Sequence, residues 1–248
     1  MPYTYFMEII KNVAEYYDEL YPVTNEQKVF YGELASKYPN PVKFLRVGCG
    51  TGSFEHQLAK NGADVTGIEE YPELIHSANL RRRTQLMSIH YFQMSALDMP
   101  HFLGKGFYNI ISSLDNRIVH MHDETLIRKF FFDSRRMLGE NGTLVVSLYN
   151  YNLFNEENPN LPIRESIRTK LTSKISRRDD ETWFLNQDVE TGNGKIMSVY
   201  KDEKIYPLTP EKIEHFAKLA GYTKIDFYSS FDKAPFTGAE EKIVAVIK

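Results

Sequence analysis

A glycine-rich loop, GCGTG at positions 48–52, constrains this sequence more than any other feature because of what flanks it. The stretch KFLRV at 43–47 predicts a strand that runs into the loop, and an amphipathic helix is predicted at 53–61, before Gly62. Glycines let the backbone turn tightly and admit a ligand close to the main chain. The free N–H groups at the start of the next helix favour an electron-rich ligand. The pattern therefore predicts a ligand-binding strand–loop–helix unit.

Helix and strand patterns alternate on both sides of this loop. Helices are predicted at 25–37, after the capping-box pair Thr24 and Gln27, from Pro72 to the basic triplet at 81–83, and from Asp123 to Gly139. An Asn141-Gly142 turn follows the last of these helices. Further strands are predicted at 63–68, 89–94, 107–113, 143–149, 224–229 and 242–247. Such alternation is typical of right-handed crossovers, so we predict an α/β fold with a doubly wound, mostly parallel, seven-stranded Rossmann-like sheet.

Residues 151–208 interrupt the alternation. The basic segment 163–178 is a candidate helix, strands at 182–189 and 195–200 flank a hairpin turn at 192–194, and 204–207 could add a third short strand. Trp183, Leu185 and Val189 alternate as one buried face requires. We predict one domain from 1–150 and 209–248, with 151–208 inserted as a small antiparallel subdomain. This insertion is either a lid over the site or a stabilising appendage.

A carboxylate lies where the strand after the glycine loop ends, at Glu69. In doubly wound folds a carboxylate at this position accepts hydrogen bonds from both hydroxyls of a ribose. The loop has the spacing G-x-G-x-G, not the dinucleotide spacing G-x-G-x-x-G, and no Gly-Lys-Ser/Thr follows it. The two elements therefore predict a site for one nucleoside-like ligand at the carboxyl edge of the sheet.

The segments FLRVGCGTG at 44–52 and VTGIE at 65–69 resemble motifs I and II of class I S-adenosylmethionine-dependent methyltransferases, of the small-molecule, type 11/25-like kind. The resemblance continues through SALDMP at 95–100, the segment 107–116, MLGENGTLVVSLY at 137–149 and the tail at 231–236, and is weakest across 150–208. It implies S-adenosylmethionine as cofactor. Two residues depart from the family pattern: Arg46 replaces an acidic residue, and Ser95 replaces an aspartate that reads the adenine amino group.

The resemblance also implies which residues hold the cofactor. The glycine loop would cradle its methionine part, Glu69 its ribose, and Ser95 and Ala96 its adenine ring. A tyrosine of the N-terminal segment would cover it. The implied cofactor-binding residues are Tyr17, Tyr21, Gly48, Cys49, Gly50, Thr51, Gly52, Glu69, Glu70, Ser95, Ala96, Leu114 and Asn116.

Methyl transfer from a sulfonium is an in-line displacement with a good leaving group, so the protein mainly aligns the reactants and excludes water. No catalytic residue is identified from the sequence. A protonated nucleophile needs a base, for which Asp115, His120, Tyr149 and Tyr151 are candidates, each with a structural alternative. No metal site is predicted, since His120 and His122 are too few ligands. Candidates for contact with the acceptor are Asn116, Arg117, Tyr149, Trp183 and Phe231, and Arg117 favours an anionic group.

Charge and composition limit the classes of molecule that this protein is expected to bind. The chain has 30 basic and 33 acidic residues and a net charge of −3, which argues weakly against nucleic acid. Its single cysteine excludes an internal disulfide, and no run reaches the roughly 18 apolar residues of a membrane span. We expect a cytoplasmic monomer or homodimer that methylates a nitrogen or oxygen of a small molecule, without a membrane partner. Two alternatives stay open: an RNA or protein methyltransferase, suggested by the basic stretches at 81–83 and 164–178, and a non-catalytic S-adenosylmethionine-binding protein, suggested by Arg46 and Ser95.

Overall fold

The predicted helices and strands are found in the predicted order as far as Tyr149, with three short helices among them that the sequence does not indicate. The computed structural model describes residues 13–82, 88–178 and 182–248. Arg83, the last residue of the predicted basic triplet, lies outside the described residues. The described helices are α1 (Tyr17–Leu20), α2 (Asn25–Ala35), α3 (Ser53–Lys60), α4 (Pro72–Arg82), α5 (Met99–Phe102), α6 (Glu124–Met137) and α7 (Pro210–Leu219), with a 3₁₀ helix at Arg117–His120. The described strands are β1 (Lys43–Val47), β2 (Asp64–Glu69), β3 (Ile89–Gln93), β4 (Tyr108–Ser113), β5 (Leu138–Tyr149), β6 (Asn160–Glu165), β7 (Thr169–Arg177), β8 (Trp183–Thr191), β9 (Ile196–Ile205), β10 (Ile225–Tyr228) and β11 (Lys242–Ile247).

The predicted Rossmann-like sheet is confirmed. Its seven strands have the order β10-β11-β5-β4-β1-β2-β3, and β11 alone runs antiparallel to the other six. In the register Val47 pairs with both Ile68 and Ser113, so the carboxyl ends of β1, β2 and β4 lie side by side. The chain order reverses between β1 and β4, which is where ligands bind in doubly wound sheets.

Each strand sends alternate side chains to the two faces of this sheet, and helices cover both. On one face Phe44 and Val65 pack with α2, α3 and α4; on the other, Leu45 and Val47 pack with α6 and α7. The caps form as predicted for α2 and α6, where Thr24 Oγ1 accepts from the Gln27 N–H at 3.1 Å and Asp123 Oδ1 accepts from the Leu126 N–H at 2.9 Å. None of the described helices is long and apolar enough to cross a bilayer.

A second sheet, antiparallel and of order β6-β7-β8-β9, is formed within residues 151–208. The predicted helix at 163–178 is wrong, because this segment forms most of the β6–β7 hairpin. Leu171, Ser173 and Ile175 are buried alternately, a period of two that suits a strand. The separate strand predicted at 204–207 is also wrong, since its first residues extend β9. Buried residues of this sheet, including Leu185, join the core beneath β1 and β5.

The predicted turn at Asn141-Gly142 lies inside β5 instead of before it. The helix α6 ends at Met137 and the strand begins at once with Leu138. Asn141 has a φ of 58° and accommodates an irregularity, and the register of β5 against β4 shifts between Tyr108 and Ile110. The strand therefore continues through residues that the sequence indicates as a turn.

Candidate functional site

The glycine loop requires glycine for both conformation and space. Gly48, Gly50 and Gly52 have φ values of 74°, 58° and 76°, in the left-handed region that glycine adopts without strain. A Cβ atom on Gly50 would lie 2.3 Å from Cε1 of Tyr17, and one on Gly48 would lie 2.9 Å from Nε of Arg117. The loop is therefore closely covered by a tyrosine and an arginine from distant parts of the chain.

Glu69 lies at the end of β2, directly beside the loop, and is only 2% exposed. One carboxylate oxygen accepts from the Gly50 N–H at 2.9 Å and from the Arg117 guanidinium at 2.5 Å. The other accepts from the N–H groups of Glu70 at 3.0 Å and Tyr71 at 3.3 Å. Four donors thus fix the orientation of this buried carboxylate.

The larger of two adjoining cavities, about 330 Å³, opens beside Glu69. Glu70, Ser95 and Ala96 line it together with Gly48, as the sequence predicts for a nucleoside site. The Ser95 hydroxyl accepts a hydrogen bond from the Leu97 N–H at 3.2 Å and faces the same cavity. Its apolar walls are Val47, Ile68, Met94, Leu97, Met121 and Leu126. The cavity is therefore lined by a carboxylate, apolar side chains and a hydroxyl.

The second cavity, about 50 Å³, lies between the carboxyl edge of the large sheet and the antiparallel sheet. Its polar lining consists of Tyr17, Tyr21, Tyr71, Tyr149, Tyr200, Asp115, Asn116, Arg117, His120, Arg164 and Gln187. Tyr71, Arg117, His120 and Tyr200 line both cavities, so the two share one wall. Burial raises the pKa of Tyr21 to about 12 and that of Tyr17 and Tyr200 above the usual value. These hydroxyls are therefore protonated near neutral pH and act as hydrogen-bond donors, not as bases.

A line of charged groups extends from the lining of the second cavity into the core. Arg46 is 5% exposed and lies 3.4 Å from Oε1 of Glu55 and 3.6 Å from Oδ2 of Asp115. Asp115 in turn lies 3.3 Å from the guanidinium of Arg164, which packs 4.5 Å from the ring centroid of Tyr21. Arg46 therefore lies between two carboxylates, that of Glu55 on α3 and that of Asp115 after β4. Cys49 lies nearby, and burial raises the pKa of its thiol, as suits an inert core residue.

The short helix α1 connects the glycine loop to the antiparallel sheet. Asp18 accepts hydrogen bonds from the Thr51 hydroxyl and the Arg81 guanidinium. Its neighbour Glu19 accepts from Arg168, and from Ser166 Oγ at 2.9 Å. These contacts hold Tyr17 and Tyr21 against the second cavity.

Several predicted residues lie elsewhere in the structure. Leu114 is buried in the core, Trp183 packs against Arg177, and Phe231 packs 5.4 Å from the ring of Phe30; none of the three lines either cavity. Tyr151 is buried and its hydroxyl accepts a hydrogen bond from the Asn116 amide at 2.8 Å. Within the described ranges, no three His, Cys, Asp or Glu side chains form a group that could hold a metal ion.

Some residues that line the cavities are not predicted from the sequence. Tyr71 lies two residues after Glu69, and this position alone would have justified predicting it as a site residue. Tyr200 and Gln187 lie on β9 and β8, and only the packing of the second sheet brings them to the site. Arg164 lies on β6, within the segment that was predicted to be helical.

Comparison with known proteins relates this chain to methyltransferases. A family model described as a methyltransferase domain matches residues 44–142. A methyltransferase of Geobacillus sp. (strain WCH70) is 24% identical over 147 residues, which cover 59% of this chain and 56% of that protein. The ubiquinone biosynthesis O-methyltransferase of Psychrobacter cryohalolentis is 28% identical over 133 residues, 53% of this chain and 48% of its own length. The chain thus matches about half the length of these curated relatives.

Solved structures share the fold over nearly the whole chain. The CcbJ methyltransferase of Streptomyces caelestis superimposes with a TM-score of 0.78 at 18% identity, covering 95% of both chains. The sugar N-methyltransferase KedS8 of Streptoalloteichus sp. gives 0.64 at 18% identity, covering 93% of this chain and 90% of that one. At such identities the likeness concerns the fold alone. Because the matches cover 95% and 93% of this chain, they include most of the second sheet.

Proposed function

We propose that this chain carries a class I S-adenosylmethionine-dependent methyltransferase domain and that it transfers a methyl group to a nitrogen or oxygen of a small molecule. The observation that carries the proposal is the buried carboxylate of Glu69, held beside the glycine loop at one end of a cavity that Ser95 and Ala96 also line. A carboxylate, apolar side chains and a hydroxyl around one cavity match a ribose, an adenine ring and its polar edge.

The residues present fit the cofactor. Glu69 would accept hydrogen bonds from the ribose, Ser95 would accept from the adenine edge, and the methionine arm would cross the glycine loop under Tyr17. Gly50 allows this approach because it carries no side chain. When bound, S-adenosylmethionine supplies a methyl group that is activated by its sulfonium. The departure of Ser95 from the family pattern keeps a hydrogen-bond acceptor in place at this position.

The second cavity is proposed as the acceptor site, since it shares a wall with the cofactor cavity. The antiparallel sheet and α1 close it, so we propose that residues 151–208 act as a lid that excludes water. Asn116 and the protonated tyrosines would orient the acceptor in line with the methyl group. A neutral amine needs no base for the displacement, whereas a hydroxyl must lose its proton.

The names of two related proteins support nitrogen and oxygen, respectively, as the atom that receives the methyl group. KedS8 is described as a sugar N-methyltransferase, and the Psychrobacter relative as an O-methyltransferase. A small acceptor is favoured over RNA or protein because the second cavity is enclosed by side chains of both sheets.

Calorimetry with S-adenosylmethionine and S-adenosylhomocysteine tests the proposal first. We expect both to bind at one site per chain. A screen of amines, carboxylic acids and phenols for S-adenosylhomocysteine release would then identify the acceptor class. Failure of both nucleosides to bind would refute the proposed function, and binding without turnover of any small molecule would favour a non-catalytic cofactor-binding protein. Methylation of RNA, with a steep dependence of RNA binding on salt, would favour the nucleic-acid alternative.

A further inference from the structure

The carboxylate of Glu69 has no free acceptor capacity. A carboxylate offers about four lone-pair sites for hydrogen bonds. Gly50, Glu70, Tyr71 and Arg117 supply four donors to it. A ribose diol that binds Glu69 must therefore displace at least one of them.

Arg117 is the donor that can leave. The other three are backbone N–H groups fixed by the glycine loop and by the end of β2, whereas the Arg117 guanidinium is carried on a long side chain. This side chain begins on the 3₁₀ helix and lies against Gly48, and its guanidinium lies 5.6 Å from the ring centroid of Tyr71. Because Arg117 lines both cavities, a guanidinium that leaves Glu69 has the acceptor cavity beside it.

We propose that Arg117 determines acceptor specificity: the cofactor's ribose displaces its guanidinium from Glu69, and the guanidinium then binds an anionic group, of the carboxylate class, on the acceptor. The inference rests on the proposed function. It adds an order of binding, cofactor before acceptor, because the cofactor makes the cationic group available.

The charges around the acceptor cavity favour an anion once Arg117 has moved. A buried guanidinium without a partner is strongly disfavoured, so it requires a new counter-charge. The carboxylate of Asp115 is already shared between Arg46 at 3.6 Å and Arg164 at 3.3 Å. Glu70 and Glu203 line the adjoining cofactor cavity and not the acceptor cavity. His120 and the protonated tyrosines supply no negative charge to the acceptor cavity. The cofactor's sulfonium adds a further positive charge. An acceptor that carries a carboxylate would balance this excess.

Calorimetric titration with S-adenosylhomocysteine tests the displacement in the wild type and in Arg117→Met. Arg177→Met, which changes an exposed arginine of β7, is the control. Because this ligand has no net charge, its affinity reports the loss of the contact between Arg117 and Glu69 and not a change in the attraction of the protein for a charged ligand. We expect Arg117→Met to bind it about three- to tenfold more tightly, with Arg177→Met unchanged. Arg117→Gln serves the same purpose if the methionine variant does not fold. Weaker binding by the Arg117 variants would overturn the inference, because Arg117 would then be a support for Glu69 and not its competitor. Absence of binding by the wild type would instead refute the proposed function.

The anionic preference is tested with the matched pair acetate and acetamide as probes of the acceptor cavity. We expect acetate to raise the melting temperature of the wild-type protein saturated with S-adenosylhomocysteine by more than acetamide does. The difference should shrink without S-adenosylhomocysteine, when Arg117 is engaged with Glu69, and disappear in Arg117→Met. Equal effects of the two probes on the saturated wild type would overturn the proposed anion site.

Discussion

Replacement of Glu55 by glutamine should remove a pH dependence from the stability of this protein. Glu55 is fully buried on α3, and neither of its carboxylate oxygens accepts a hydrogen bond from any described residue. Burial raises the pKa of Glu55 from 4.5 to about 7, against the opposing effect of the Arg46 guanidinium 3.4 Å away. Between these two pH values the folded protein holds a proton that the unfolded chain has released.

The sign and size of the effect follow from this difference in proton binding. The contribution of Glu55 to the free energy of unfolding is fully present below pH 4.5 and is lost as the pH rises through about 7. One pKa unit corresponds to about 1.4 kcal/mol, so the loss is about 3 kcal/mol. In Glu55→Gln the side chain does not titrate. The stability of the wild type relative to this variant should therefore fall by about 3 kcal/mol between pH 4.5 and pH 8.

Urea unfolding of the wild type and Glu55→Gln across this pH range measures the difference. Glu140→Gln, which changes an exposed glutamate at the start of β5, is the matched control and should show no such trend. A stability difference that does not vary with pH would refute the reasoning. A difference that increases with pH would show that the attraction of Arg46 for an ionised Glu55 outweighs the effect of burial.

Three further predictions concern the glycine loop, its carboxylate and one helix cap. Glu69→Ala should weaken S-adenosylhomocysteine binding by about 2–3 kcal/mol, measured by calorimetry, since two charge-assisted hydrogen bonds are lost; unchanged affinity would mean that the ribose assignment is wrong. Gly50→Ala should abolish this binding because its Cβ would lie 2.3 Å from Tyr17, whereas Gly194→Ala, equally left-handed at φ +78° but with no described atom within 4 Å of a Cβ, should bind normally. Asp123→Ala should lower the free energy of unfolding by about 1 kcal/mol in urea titrations through the loss of the α6 cap, and an unaltered midpoint would contradict that role.

The large sheet could be predicted because its signals are local. Most of its strands contain a short apolar run, α4 begins at a proline, α6 begins after the capping residue Asp123, and the glycine loop follows β1 directly. Glu69 could be proposed as a site residue for the same reason, since it ends the strand that follows the loop. Packing then brings these elements together at the edge where the strand order reverses.

The second sheet and the detailed contacts of the site could not be predicted in this way. The strand β7 has the alternation of a half-buried strand, but its lysines and arginines also suit the exposed face of a helix. The contact of Arg117 with Glu69 joins a 3₁₀ helix to the end of a different strand, and no sequence spacing indicates it. The buried pair of Arg46 and Glu55 likewise depends on how α3 lies against β1.

Adjacent carboxylates on α1 have a consequence for turnover. Asp18 contacts Thr51 of the glycine loop and Arg81 of α4, and Glu19 contacts Arg168 near the start of β7, through charged groups that are partly exposed. Mobile ions weaken such contacts, so raising the ionic strength should loosen the whole segment at once. Under the proposed function, release of the products and entry of the next cofactor and acceptor would then depend on one event, the detachment of α1 from the glycine loop and the antiparallel sheet. If that event limits the rate, moderate salt should accelerate the multiple-turnover reaction while leaving a single turnover unaffected.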